Sequence, residues 1–75
     1  MTTAMIEQFE TISRAASAKD ALRISGELGE DSHYLRLAYI RAILGPRATG
    51  GFFEPTRKNV QAKFVKAWER AHERA

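Results

Sequence analysis

The sequence predicts a small all-α domain of four helices, with a short second helix, a central third helix and a glycine-rich loop before the fourth. Three observations lead there. Alanine, leucine, glutamate, lysine and arginine are abundant and β-branched runs are missing, a composition that favours helix. Apolar residues recur at spacings of three and four, the helical period. Capping residues, glycines and prolines divide the chain into four such stretches.

The first helix is expected over residues 3–16. Met5, Phe9, Ile12 and Ala16 fall on one face, while Glu7 and Glu10 point away and suit the positive end of the helix dipole. Ser17-Ala18-Lys19-Asp20 then reads as a variant capping box, with Ser17 as N-cap and Asp20 reaching back. The short second helix, 18–28, buries Ala21, Ile24 and Leu28 and closes at Gly29. Asp31 or Ser32 caps the third helix, which runs to Leu44 and stops at Gly45-Pro46.

That third helix is apolar on two sides. Leu35, Ala38, Tyr39, Ala42 and Ile43 form one face, and Leu37, Ile40 and Leu44 lie on the other. Such a helix is either central in the fold or covered by a partner. Residues 45–54 form the one long connection, with glycine at 45, 50 and 51. The fourth helix starts near Pro55 or Thr56 and carries Val60, Phe64, Ala67, Trp68 and Ala71 as its apolar stripe. The expected core is Met5, Phe9, Ile12, Ile24, Leu28, Leu35, Tyr39, Ile43, Val60, Phe64 and Trp68.

Seventy-five residues suit one domain, 1–75. A chain of this length buries only about 60% of its unfolded surface. Without cysteine, no disulfide or thiolate metal cage adds stability. Tight helix packing or burial against a partner has to supply it. No leader-like apolar segment opens the sequence, and residues 35–44 are interrupted by Arg36 and Arg41 and too short to span a bilayer. A cytoplasmic location is the expectation, with membrane contact disfavoured.

Charge is unevenly placed. Residues 1–34 carry a formal −3 and residues 35–75 a formal +6, which describes a polar molecule with a basic end. Lys63, Lys66, Arg70 and Arg74, spaced three, four and four apart, form a basic stripe on the fourth helix, with Arg57 and Lys58 near its start. This pattern fits a helix laid along phosphates. It also fits a solvated face whose stems cover the core edge.

The second and third helices have the spacing of a helix-turn-helix. A recognition helix presents polar side chains from its first half, however, and here that half holds His33, Tyr34, Leu35 and Leu37 after an acidic turn. Catalytic patterns fail one by one. The glycine spacing of 45–51 resembles a phosphate-binding loop but lacks its lysine and following hydroxyl residue. Asp31-Ser32-His33 has triad residue types but neighbouring side chains diverge, and capping explains the first two. His33 and His72 are isolated, so no metal site is expected. Glu69 and Glu73 suit ion pairs with Lys66 and Arg70 better than acid/base work.

The sequence therefore predicts a non-enzymatic binding module, an inhibitor or adaptor, with neither cofactor nor small-molecule substrate. Its contacts would come from the outer side of the third helix, Tyr34, Leu37, Ile40 and Leu44, and from the adjacent aromatics Phe52 and Phe53. The partner would be another protein or a second copy of the chain. The alternative is a dimeric nucleic-acid-associated regulator that contacts phosphates through Arg57, Lys58, Lys63, Lys66, Arg70 and Arg74.

Overall fold

The computed structural model describes residues 3–28 and 32–73. Four α-helices occupy them: α1 (Thr3–Ser13), α2 (Ala18–Glu27), α3 (Ser32–Leu44) and α4 (Arg57–His72), with a 3-10 turn (Pro46–Thr49) between α3 and α4. The expected all-α domain is thus present. No helix among the described residues is long and apolar enough to cross a membrane. The expected closing glycine of α2, Gly29, and Asp31 and Arg74 lie outside the described residues.

Local chemistry sets the helix ends. Ser17 Oγ accepts the Asp20 N–H at 3.1 Å, and Asp20 Oδ2 accepts the Ala16 N–H at 3.4 Å. This is the expected reciprocal cap with its return bond one residue earlier. Hydrogen bonding from Arg23, and then from the Ala16 N–H, holds the Asp20 carboxyl below its ordinary range. Thr56 caps α4 by accepting the Asn59 N–H at 3.2 Å. Gly45 ends α3 at φ +105°, where a side chain would clash with its own backbone.

The first helix stops three residues earlier than expected. The Arg14 N–H is shared between the Glu10 and Thr11 carbonyls, and the Ala15 N–H reaches back to Ile12. This tightening turn swings Ala15 toward the core and leaves Ala16 exposed.

The core gathers Ile12, Ala21, Leu35, Leu37, Tyr39, Ile40, Val60, Phe64 and Ala67, with Phe9, Leu28 and Trp68 among its half-buried flank. An aromatic row crosses it. Phe9 meets Tyr39 edge-on at 5.5 Å, and Tyr39 meets Phe64 at 5.1 Å, linking α1, α3 and α4 by contacts worth about 1 kcal/mol each beyond area burial. At the far end of α4 the Trp68 indole N–H donates to the Ile12 carbonyl at 3.0 Å. The His72 ring stacks on Trp68 and has its nitrogens 2.8 Å from the carbonyls of Trp68 and Ser13. Helix-terminal carbonyls of α1, which have no intrahelical partner, are thus engaged by side chains of α4.

The two-sided apolar pattern of α3 resolves in favour of a central helix. It packs against α2, the 3-10 turn and most extensively α4. At about 100° per residue, Leu35, Tyr39, Arg36, Ile40 and Leu37 cover more than half of its circumference, and all are buried. Leu37 and Ile40 were expected on an outer, partner-facing side; they are 6% and 0% exposed, because α2, α4 and the 3-10 turn all pack against α3. Leu44 is half-buried against the core. Ile43 departs the other way, exposed where a core position was expected, and Ile24 is half-buried outside the core cluster.

One core group is imperfectly satisfied. Tyr39 is 1% exposed and its hydroxyl has no hydrogen-bond partner among the described residues. Burial pushes the phenol up, opposed by the nearby Ser13 hydroxyl, which stays outside hydrogen-bonding geometry. A buried, unpaired hydroxyl is destabilising by about 1–3 kcal/mol. Tyr39→Phe keeps both ring contacts and removes the stranded oxygen. Its chemical-denaturation midpoint should rise, corresponding to a gain of about 1 kcal/mol. A lower midpoint would show that the hydroxyl is bonded.

Candidate binding surface

The connection between α3 and α4 is rich in glycine, yet it is braced throughout. The Ala48 N–H bonds Gly45 O, and the Gly50 N–H bonds Arg47 O, both at 3.1 Å. The Phe53 N–H closes a turn onto Gly50 O at 3.2 Å, with Gly51 at φ +63°. Positive φ at the second residue of a four-residue turn is the pattern of type II′, which calls for glycine. Side chains tie this segment to the helices. Arg41 Nε donates to Thr49 Oγ1 at 2.7 Å, Lys63 Nζ to Ala48 O at 2.9 Å, and Asn59 Nδ2 to Glu54 O at 3.0 Å.

The adjacent phenylalanines split. Phe53 is half-buried against the core, and the Lys63 ammonium lies 4.8 Å from its ring centroid. It anchors the loop to the core and, being half-buried, offers less surface than Phe52. Phe52 is fully exposed, at 106% of its reference area. Arg41 and Lys63 brace the segment through their side chains, and Arg47 and Glu54 on it are exposed.

The solvent side of α3 carries Tyr34, half-buried Ala38, Arg41 and Ala42. Tyr34 is 69% exposed, with His33 edge-on to its ring at 5.6 Å. Of the six expected partner-contact residues, Tyr34 and Phe52 are therefore well placed, Leu37 and Ile40 are core, and Leu44 and Phe53 are half-buried supports.

The basic stripe also divides. Lys63 is committed to Ala48 and Phe53 and does not stand free for phosphates. Arg57, Lys58, Lys66 and Arg70 are exposed, with Arg70 Nε 3.4 Å from Glu73. Surface pairs of this kind contribute well under 1 kcal/mol.

A residue outside the expected set is the most unusual cation. Arg36 is 8% exposed. Its Nε donates to Ser25 Oγ at 2.7 Å and its Nη2 to Leu22 O at 3.0 Å. The Ser25 hydroxyl donates in turn to Leu22 O at 2.7 Å. None of these acceptors is a carboxylate. Burial, and then the like charge of Arg57, holds the guanidinium below its ordinary value. In the sequence, the available signal was a charged residue amid Leu35, Leu37, Tyr39 and Ile40, opposite the small pair Ser25-Gly26.

Compared with known protein families, with curated proteins and with solved structures, the chain has no significant match.

Proposed function

We propose that this chain is a non-enzymatic binding module, an inhibitor or adaptor, that docks on a protein partner through Phe52, with Tyr34 as a secondary contact. The braced turn under Phe52 carries this reading. An exposed phenylalanine alone is unremarkable. Here a type II′ pattern and a cation over the neighbouring ring hold the turn, and three side-chain hydrogen bonds to Ala48, Thr49 and Glu54 tie down the residues on either side of it. A preformed aromatic anchor avoids much of the ordering entropy of association, and aromatic anchors seated in pockets dominate interface energies. Exposed Arg41 and Arg47 on the same segment favour an apolar pocket with an acidic rim, where charge complementarity speeds encounter.

Phe52→Ala should leave the thermal midpoint unchanged while weakening partner retention by roughly 30-fold or more, the loss expected of an interface hot spot. Retention can be measured by affinity capture from the source cell with wild-type and variant chains compared side by side. Molar mass in solution at two concentrations separates a second copy from a foreign partner. Capture unaffected by Phe52→Ala would sink the docking surface. Retention of oligonucleotides that falls steeply with salt and is lost in Lys66→Glu/Arg70→Glu would favour the phosphate-binding face of α4 instead.

A further inference from the structure

One face of α1 is left open. Ile6, Phe9, Glu10, Ser13 and Arg14, at helical spacing, line an open groove of about 340 Å³. The helix above it is lightly used by the core. It packs chiefly against α2, and Ile12 is its buried residue. Ile6 remains 47% exposed, and Phe9 is half-buried, with Tyr39 edge-on to its ring. The volume lies at the small end for binding pockets and suits one ring rather than an extended ligand.

The rim of the groove is charged and unpaired. Glu10 and Arg14 line it, and Glu7 stands exposed beside Ile6. None of the three has an ion-pair partner among the described residues. The Phe52 segment carries matching groups. Phe52 is fully exposed, so it does not fill the groove of its own chain. Exposed Arg41 and Arg47 lie before it in the sequence and exposed Glu54 two residues after it, again without ion-pair partners among the described residues.

We propose that the α1 groove receives Phe52 of a second copy of this chain, with the groove's Glu10 facing the cations of that copy's loop and Arg14 facing its Glu54. The contact rests on the reading of Phe52 as the docking anchor and deepens it by naming the partner. An apolar pocket with an acid on its rim is what such an anchor calls for, and the chain itself presents one. Its charge division agrees: α1 belongs to the part with a formal −3 and the Phe52 segment to the part with a formal +6, so unlike ends attract. A second copy also covers Ile6 and Phe9, apolar surface that so short a chain leaves open. Groove and anchor are different surfaces, so the contact is heterologous.

Sedimentation equilibrium of the full chain over a range of concentrations tests this, and the molar mass should rise above that of one chain. Phe52→Ala and Ile6→Lys, both at exposed positions, should each weaken self-association by roughly 30-fold or more. Phe52→Ala keeps the groove and Ile6→Lys keeps the anchor. An equimolar mixture of the two should therefore form a 1:1 dimer at concentrations where neither associates alone. If Ile6→Lys lowers the thermal midpoint, Glu10→Lys on the same rim takes its place, with an expected weakening of roughly fivefold. A strict monomer at every concentration would overturn the second copy as partner. Phe52-dependent capture of a foreign protein would then still uphold the anchor. Self-association that survives Phe52→Ala, or that ignores both groove variants, would overturn the contact, as would a variant mixture that stays monomeric.

Discussion

Ile40→Asp is expected to abolish the cooperative thermal transition and most helical circular dichroism. Ile40 is completely buried, on the stretch of α3 enclosed by its neighbours. Shortening a buried isoleucine to alanine already costs about 2–5 kcal/mol. Aspartate adds a carboxylate with no cation among the buried residues to meet it except Arg36, which is anchored on α2. Desolvating that charge adds several kcal/mol more, or forces the group to take up a proton. A domain of this size holds roughly 4–11 kcal/mol in total, at about 0.05–0.15 kcal/mol per residue. The loss is therefore comparable with the whole stability. Ile40→Val, which retains most of the volume, should remain folded at a cost of about 1 kcal/mol. A folded Ile40→Asp monomer derived from a dimer would instead place Ile40 in an interface between copies.

The same residue shows where the sequence stops being informative. The cap at Ser17, the start of α4 near Thr56 and the stop at Gly45 were legible because each is settled within four residues by a hydroxyl, a backbone N–H or a forbidden φ. The faces of α3 were not. Its apolar residues run all the way round, so periodicity alone cannot say which of them a neighbouring helix will cover. Leu37 and Ile40 went inside and Ile43 outside according to where α2, α4 and the 3-10 turn pack against α3, and that arrangement is a tertiary fact.

Lys63 repeats the lesson on the surface. Its spacing to Lys66 and Arg70 is helical, but its flexible stem carries the ammonium to Ala48 O, fifteen residues back, and the path of that loop is not written in the period of α4. The split of Phe52 from Phe53 was partly legible, because consecutive side chains on a turn diverge. Arg36 escaped notice since its partners are Ser25 and Leu22, which carry no charge and sit on another helix.

Arg36→Met should raise the stability of the isolated chain. Methionine is close in length to the aliphatic part of arginine and adapts to irregular spaces, so it can occupy the same space against Ser25 and Gly26. Removing the guanidinium strands no partner, because the Ser25 hydroxyl still donates to Leu22 O and the acceptors it served lose one bond without being emptied. What disappears is a mostly desolvated charge beside a like charge, Arg57. Replacing buried ionic groups with well-packed apolar ones often stabilises by about 1–4 kcal/mol. Because Arg36 keeps 8% of its surface in contact with solvent, a gain near the lower end, about 1 kcal/mol, is expected. Denaturant melts of the wild type and Arg36→Met measure the effect. A clear loss of stability would mean that the Ser25 and Leu22 hydrogen bonds outweigh the desolvated charge, and Arg36 would then be a structural strut. A gain would identify a residue that keeps its charge at the expense of the fold.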